Sequence, residues 1–179
     1  MQRHQKRSEI DWPVIIGRVI NASACEVWND ISSPGILEKC HPFCAQNPVK
    51  VWSGAASRDE IHYLNGLIYE RRFYQWQEGS GYDLEILHNG RVLAIVMWRV
   101  SEISDQSCKL QISIYPRLPR KYPVFINWLV YRFRLRPMLG KYLKSVIRGF
   151  EWYATSRTPV TQNHFGKHPW FSAPEKVHG

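Results

Sequence analysis

The chain has 179 residues, of which 44% are hydrophobic and 22% are charged, a composition that favours one folded domain over disorder. A domain of this length buries enough surface to fold without disulfide or metal staples. The sequence shows no apolar stretch of about 18 residues and no signal peptide, so it predicts a cytoplasmic protein with reduced cysteines.

Positive charge is concentrated in one late segment. The formal net charge is +9, and residues 117–148 contain nine Lys and Arg residues but no Asp or Glu. Such a basic field attracts anionic lipid, nucleic acid or an acidic partner. A solvated helix face that keeps the protein soluble would show the same pattern, so both interpretations stand.

The N-terminal part of the chain predicts one strand followed by two short helices. A β-branched run predicts a strand over residues 14–20. Ser23 and Glu26 match a capping box, which predicts that a helix begins at about residue 24 and ends at residue 31. Pro34 suits the first turn of a second helix, through residue 39.

Two Asn-Gly pairs predict consecutive β-hairpins. Asn65-Gly66 and Asn89-Gly90 each separate two strand-like runs, and a further run follows, at 58–64, 67–76, 82–88, 91–101 and 107–115. Two-residue turns would place Glu60 opposite Arg71 and His88 opposite Arg91. In this register the apolar, inward face of the second hairpin contains Tyr82, Leu84, Ile86, Leu93, Ile95 and Met97, whereas Trp98 points outward.

A long helical stretch is predicted after a Pro-rich connector. Its second half, from Leu139 to Tyr153, has apolar residues at three- and four-residue spacing. Its first half, 124–135, is apolar around the whole helix axis, and Pro137 is expected to kink or break the helix between the halves. Residues 1–12 are predicted as an N-terminal arm and residues 155–179 as an irregular tail.

This order of elements resembles the START-like (Bet v 1-like, SRPBCC) superfamily over residues 13–154. The segment 21–34 (NASACEVWNDISSP) is similar to the family in its small-residue cap, its Val-Trp pair and its Ser-Pro break. Within the superfamily, the chain looks most similar to the polyketide cyclase/dehydrase and lipid transport branch, and residues 159–172 resemble the ending of bacterial members. The resemblance implies an α+β helix-grip fold, in which a curved antiparallel sheet wraps around a long C-terminal helix.

The fold implied by this resemblance encloses space between the sheet and the helix. A mostly apolar cavity is the usual design of a small-molecule site, so we expect a hydrophobic ligand such as a lipid or a polyketide-like compound. A plain packed core would use the same residues. The residues expected to face the ligand are Tyr82, Leu84, Ile86, Leu93, Ile95, Met97, Leu110, Ile112, Ile114, Leu139, Leu143, Val146, Ile147 and Phe150.

Polar residues outside the basic segment suggest three further kinds of site. Glu60, Glu70, Arg71 and Arg72 could orient a polar head group, although a cross-strand ion pair is the simpler interpretation. The run from Cys40 through His41 to Cys44 lacks a fourth ligand, and the tail pair of His164 and His168 is weaker still, so no metal or cofactor is predicted. His41, His62 and His88 are candidate general bases for a cyclase, dehydratase or hydrolase, the alternative to simple binding.

The basic segment also contains aromatic residues, a combination that fits an interfacial helix on anionic lipid. Bases expected to attract a membrane or an anionic head group are Arg117, Arg120, Lys121, Arg132 and Arg136. A peripheral membrane protein without a ligand cavity is therefore a further hypothesis. Nucleic acid is disfavoured because no DNA-reading motif is present, and a homodimer contact through Trp128 and Phe133 is the remaining interpretation.

Overall fold

The structure, a computed structural model, describes residues 12–118 and 122–174 of the chain. Within these residues a curled antiparallel sheet grips a long helical run that follows its last strand. This is the helix-grip α+β architecture that the family resemblance implied. The predicted N-terminal arm lies outside the described residues except for Trp12, and so do Arg120 and Lys121.

Eight strands build the sheet. They are β1 Val14–Ile20, β2 Cys44–Gln46, β3 Val49–Val51, β4 Arg58–Tyr63, β5 Ile68–Gln77, β6 Gly81–His88, β7 Arg91–Ser104 and β8 Ser107–Pro116. Their order is β1-β8-β7-β6-β5-β4-β2, with β3 also paired to β4. The predicted first strand is confirmed, and β5 to β8 form the predicted meander.

The helices are α1 Ala24–Ile31, α2 Leu37–Cys40, α3 Val124–Val130 and α4 Arg136–Ser156. The capping box of α1 is confirmed: Ser23 Oγ accepts from the Glu26 N–H at 3.2 Å, and the Glu26 carboxylate accepts from the Ser23 N–H at 2.9 Å. The second helix begins at Leu37, three residues later than predicted, because residues 34–36 form a turn.

The register predicted for the first hairpin is wrong by one residue. Tyr63 pairs with Leu67 across a three-residue loop, in which Gly66 has a φ of +86°. Loops of this kind combine a type I turn with a left-handed residue, and Gly adopts that conformation without a steric penalty. Glu60 therefore lies opposite Glu70, and Arg71 lies opposite Asp59 instead of Glu60.

The second hairpin begins as predicted and then changes register. His88 pairs with Arg91 and Leu87 with Val92, but Ile86 pairs with Ala94, so Leu93 is an extra residue in β7. A β-bulge of this type exchanges the faces of all residues beyond it. The predicted inward orientation of Ile95 and Met97 is consequently wrong.

Beyond the bulge, the inward residues of β7 are Ala94, Val96, Trp98 and Val100, all of them buried. Trp98 lies inside the sheet, where its ring centroid is 5.8 Å from that of Tyr82 and 4.9 Å from that of Phe150. Trp28 and Trp76 continue this aromatic cluster, and their ring centroids are 5.4 Å apart. Aromatic packing thus fills the interior around the paired residues Tyr82 and Trp98.

The helical run does not break at Pro137. Tyr131–Leu135 form a π-helical turn between α3 and α4, and Pro137 lies in the first turn of α4. Proline lacks an N–H and its ring clashes with the carbonyl four residues earlier, so a widened turn before it accommodates the ring. The turn is anchored by Tyr131, whose hydroxyl donates to the Pro13 carbonyl at 2.9 Å.

Two glycines of α4 provide a test of the packing of this helix. A Cβ at Gly149 would lie 2.0 Å from the backbone carbonyl oxygen of Cys40, whereas a Cβ at Gly140 would have no atom within 4 Å. We expect Gly149→Ala to lower the free energy of unfolding by about 2 kcal/mol or more through overpacking. Gly140→Ala should raise it by up to about 1 kcal/mol, because alanine has the higher helix propensity. Urea unfolding of both variants measures the difference, and equal stabilities would contradict the close approach of α2 and α4.

Candidate functional site

A pocket of about 250 Å³ lies between the sheet and α4. Its wall is mainly aliphatic and aromatic, with a small number of polar side chains, which is typical of small-molecule sites. The lining residues are Leu37, His41, Ile61, Tyr63, Tyr69, Arg71, Leu84, Ile86, Leu93, Ala94, Val96, Trp98, Ile112, Ile114, Pro116, Leu135, Leu139, Tyr142, Leu143, Val146, Trp170 and Phe171.

The structure separates the residues that were expected to face a ligand into three groups. Those in the pocket wall are Leu84, Ile86, Leu93, Ile112, Ile114, Leu139, Leu143 and Val146. Those buried in the packed core away from the pocket are Tyr82, Leu110, Ile147 and Phe150. Ile95 and Met97 lie on the outer face because of the bulge in β7.

The three candidate histidines occupy different environments. His41 is buried and lies in the pocket wall. His62 lies outside that wall, with its Nε2 atom 2.9 Å from a carboxylate oxygen of Glu60. His88 also lies outside it, at the second hairpin, with its Nδ1 atom 3.1 Å from the carbonyl oxygen of Ile68.

Three polar side chains in the pocket wall form a continuous hydrogen-bonded chain. His41 follows α2, Tyr63 ends β4, and Tyr142 lies in α4. The Nε2 atom of His41 is 2.9 Å from the Tyr142 hydroxyl, which is 2.9 Å from the Tyr63 hydroxyl. The backbone N–H of Phe43 lies 3.2 Å from the Nδ1 atom of His41, so this nitrogen accepts and the neutral ring carries its hydrogen on Nε2.

Burial determines the protonation of this chain. Desolvation, with the nearby positive charge of Arg71 as a second cause, lowers the pKa of His41 to about 3. Burial also raises the pKa values of Tyr63 and Tyr142 well above that of a free phenol. All three groups are therefore neutral at physiological pH, and His41 is a poor general base because both of its ring nitrogens already have partners.

Arg71 is the charged residue of the pocket wall and is neutralised within the protein. Its Nε atom donates to one carboxylate oxygen of Asp59 at 2.7 Å, and a terminal nitrogen donates to the other. Asn47 donates to Asp59 at 3.0 Å and to the Glu60 carbonyl at 2.7 Å. The carboxylate of Asp59 raises the pKa of Arg71 despite its burial, so the guanidinium keeps its charge.

The two cysteines around His41 are buried thiols. Burial raises the pKa of Cys44 to about 12 and that of Cys40 further, so neither is a thiolate at neutral pH. His164 and His168 do not converge either, because His164 contacts Thr161 while His168 bonds to the Met138 carbonyl. In the described part of the chain, no cluster of three or more His, Cys, Asp or Glu side chains could hold a metal ion.

Two pocket residues come from the tail, for which the sequence predicted an irregular conformation and no place in the pocket wall. Trp170 and Phe171 lie in the wall, and Phe171 stacks on Tyr63 with ring centroids 4.3 Å apart. The tail is held by hydrogen bonds from Asn65 to the Trp170 carbonyl at 2.7 Å and from Val160 to the Lys39 carbonyl at 2.8 Å. The adjacent aromatic pair in a polar tail was the sequence signal for this contact.

The predicted basic residues lie in distinct settings. Arg132 and Arg136 are exposed, and Arg117 approaches Glu85 at 4.0 Å. Arg120 and Lys121 lie outside the described residues. None of the helices in the described ranges has the length and apolar character needed to cross a membrane.

The pKa of His41 yields a prediction about stability. Free histidine binds a proton near pH 6.5, whereas folded His41 does so only near pH 3. The unfolded state therefore binds more protons in this window, and stability falls as the pH falls through it. We expect wild-type protein to lose about 2 kcal/mol more than His41→Gln between pH 7 and pH 5, as measured by urea unfolding. Glutamine keeps a donor near the Nε2 position but does not titrate, so parallel pH profiles would contradict the buried, neutral state of His41.

Comparisons with known proteins give the fold its name. The sequence matches no protein-family model and no curated protein sequence. Solved structures match with high probability at low sequence identity. A START superfamily protein from Mycobacterium smegmatis has a TM-score of 0.63 at 11% identity, over 82% of this chain and 99% of that one.

Two further solved structures are similar to nearly the same extent. A truncated norcoclaurine synthase from Thalictrum flavum has a TM-score of 0.60 at 14% identity, over 82% of this chain and 95% of that one. The di-domain ARO/CYC protein BexL, from the BE-7585A biosynthetic pathway, has a TM-score of 0.63 at 13% identity, over 80% of this chain but 48% of that one. The chain therefore has the START-like, Bet v 1-like helix-grip fold that the sequence resemblance implied.

Proposed function

We propose that the protein binds a small hydrophobic molecule, such as a lipid or a polyketide-like compound, in the pocket between the sheet and α4. The observation that carries this proposal is the pocket itself, a volume of about 250 Å³ bounded mostly by apolar side chains. Burial of apolar ligand surface contributes about 25 cal/mol per Å² before the costs of ordering. Pockets for drug-sized ligands usually have volumes of about 300–1,000 Å³, so a smaller ligand, or the end of a longer one, fits this pocket.

Binding is favoured over catalysis by the state of the polar groups. His41, the candidate base that lies in the wall, has partners on both nitrogens and stays neutral down to about pH 3. His62 and His88 lie outside the wall. An enzyme of the cyclase, dehydratase or hydrolase type remains the alternative, and turnover that His41→Gln abolishes would support it.

Filling the pocket should weaken dye binding. Leu93 lies in the pocket wall, and Leu93→Trp adds an indole to a site of limited volume. We expect this variant to weaken the binding of the neutral fluorophore N-phenyl-1-naphthylamine about tenfold or more, because the larger side chain occupies the space of the dye. Fluorescence titration measures the affinity.

The matched control is Ile95→Trp, which adds an indole two residues along β7 on the outer face of the sheet. It should leave the affinity for the dye within about twofold of wild type. Equal weakening by both variants, or unchanged binding in Leu93→Trp, would contradict a binding site in the pocket. Native mass spectrometry of freshly purified protein would identify an apolar compound that copurifies.

We also propose that α3 and the π turn dock on an anionic membrane surface. The observation that favours this second function is an exposed aromatic and basic face. Phe125 is 64% and Phe133 69% exposed, and Trp128 is also exposed. Exposed apolar side chains of this size are typical of interaction sites when they cluster.

The positive charge beside these aromatic residues indicates that the surface they would bind is anionic. Arg132, Arg134 and Arg136 are exposed beside these aromatic residues, and residues 117–148 contain no acidic residue. Across the part of the chain that the structure describes, none of these three arginines forms an ion pair with a carboxylate. Aromatic residues interleaved with arginine suit the headgroup region of a bilayer.

Vesicle binding tests this second proposal. We expect sedimentation with vesicles of phosphatidylcholine mixed with phosphatidylglycerol, and little with phosphatidylcholine alone. Arg132→Gln and Arg136→Gln should each weaken binding about fivefold, since one base near an anionic surface contributes about 1 kcal/mol. Phe133→Ala should weaken it as well, by removing exposed apolar surface.

The control is Arg58→Gln, which removes one positive charge from an exposed position in β4. Equal losses in Arg58→Gln and Arg132→Gln would show a nonspecific charge effect and contradict docking through α3. If the same face instead joins two copies of the chain, sedimentation velocity would show a dimer that Phe133→Ala dissociates, and this result would also contradict membrane docking.

A further inference from the structure

The polar chain of the pocket has one hydrogen more than it uses. His41 supplies the hydrogen on Nε2, and Tyr63 and Tyr142 each supply a phenolic hydrogen, so the chain contains three. It contains two internal contacts, from His41 to Tyr142 and from Tyr142 to Tyr63, each of 2.9 Å. Whichever of the two tyrosines donates to the other, one phenolic O–H has no acceptor among the three side chains of His41, Tyr63 and Tyr142.

The surroundings of the two phenols do not supply that acceptor. Tyr142 stacks on Phe43, with ring centroids 6.1 Å apart, and Tyr63 stacks on Phe171. Among the described residues, the hydroxyls of Tyr63 and Tyr142 have no hydrogen-bonding partners beyond this chain. A donor left unpaired in an apolar cavity is costly, so an acceptor atom on a ligand would be favoured at this position.

The same residues indicate that the acceptor is neutral. Arg71 is the charged side chain in the pocket wall, and two of its nitrogens are already bonded to the Asp59 carboxylate. The wall therefore offers no uncompensated positive charge to a carboxylate or phosphate, whose burial would be expensive. A carbonyl or ether oxygen satisfies a phenolic donor without that cost.

We propose that the ligand of this pocket carries a neutral oxygen acceptor, such as a ketone carbonyl, which receives the unused phenolic hydrogen of the Tyr63–Tyr142–His41 chain. This inference rests on the proposed binding function and defines the chemical class of the ligand. It also assigns these three hydrogen-bonded side chains a role in specificity. Burial of apolar surface provides the affinity for the ligand, and the phenolic donor selects the orientation of the ligand.

A matched pair of probes tests this role. The two compounds 2-acetylnaphthalene and 2-ethylnaphthalene have nearly the same shape but differ in the carbonyl oxygen. For each variant, the ratio of the two dissociation constants gives the preference for the ketone. Comparing this ratio between variants isolates the contribution of the protein, because the hydration free energy of each free probe is the same in every titration. The triple variant His41→Leu/Tyr63→Phe/Tyr142→Phe, which removes all three hydrogens, should reduce the preference for the ketone about fivefold.

The control is Tyr115→Phe, which removes a phenol from β8 outside the pocket wall, opposite Ile95 on the outer face of the sheet. It should keep the wild-type preference, and 2-ethylnaphthalene should bind both variants nearly as well as wild type. An unchanged preference in the triple variant, or a loss of preference in Tyr115→Phe, would overturn the inference while the binding function stands. Binding of neither probe to wild type would overturn both.

A spectroscopic measurement on the wild-type protein needs no variant. A hydrogen bond to the carbonyl of bound 2-acetylnaphthalene weakens its C=O bond, so its infrared stretch should lie at lower frequency than in cyclohexane. A stretch equal to that in cyclohexane would contradict donation by the phenol, whatever the affinity.

Discussion

The alternation of side chains along each strand is the constraint on which the pocket depends. A shift of one residue exchanges the inner and outer faces of a strand, so the loop length of the first hairpin and the bulge in the second decide which side chains face α4. The loop that ends at Gly66 places Arg71 opposite Asp59, and the bulge at Leu93 turns Val96 and Trp98 inward. Without the bulge, Ile95 and Met97 would face α4, and the large indole of Trp98 would be left on the solvent side of the sheet.

The buried pair of Asp59 and Arg71 shows how the sheet tolerates charge beside an apolar cavity. Two ions removed from water are expensive unless they bond to each other and their remaining atoms find partners. Here Asn47 shares the carboxylate and also bonds to the Glu60 carbonyl and the Leu37 N–H, so it links β4 to the start of α2. The pair therefore fixes strand register and leaves the pocket without net charge, which is the condition that favours a neutral ligand.

The sequence allowed prediction of the elements that local patterns define. The β-branched run of β1, the capping box of α1 and the Asn-Gly turn at residues 89–90 were each located correctly. The face assignments in β7 failed because a bulge depends on how a strand packs against its neighbours, and neither composition nor periodicity records this. In the site, aliphatic positions such as Ile114 and Leu143 follow from alternation and helical spacing. Tyr63 and Phe171 were not predicted, because their meeting requires a tail that returns to the sheet across more than 100 residues.

The π turn gives the helical run two different environments within a few residues. Leu135 lies in the pocket wall, whereas Phe133 is exposed and Tyr131 is buried against the Pro13 carbonyl. A regular helix that stayed apolar on every side would need cover around its whole circumference. Since α4 buries one face against the sheet while α3 has no buried residue, the run combines a core helix with a separate apolar surface. The pocket wall and that surface are thus adjacent along the sequence, because Leu135 belongs to the first and Phe133 to the second.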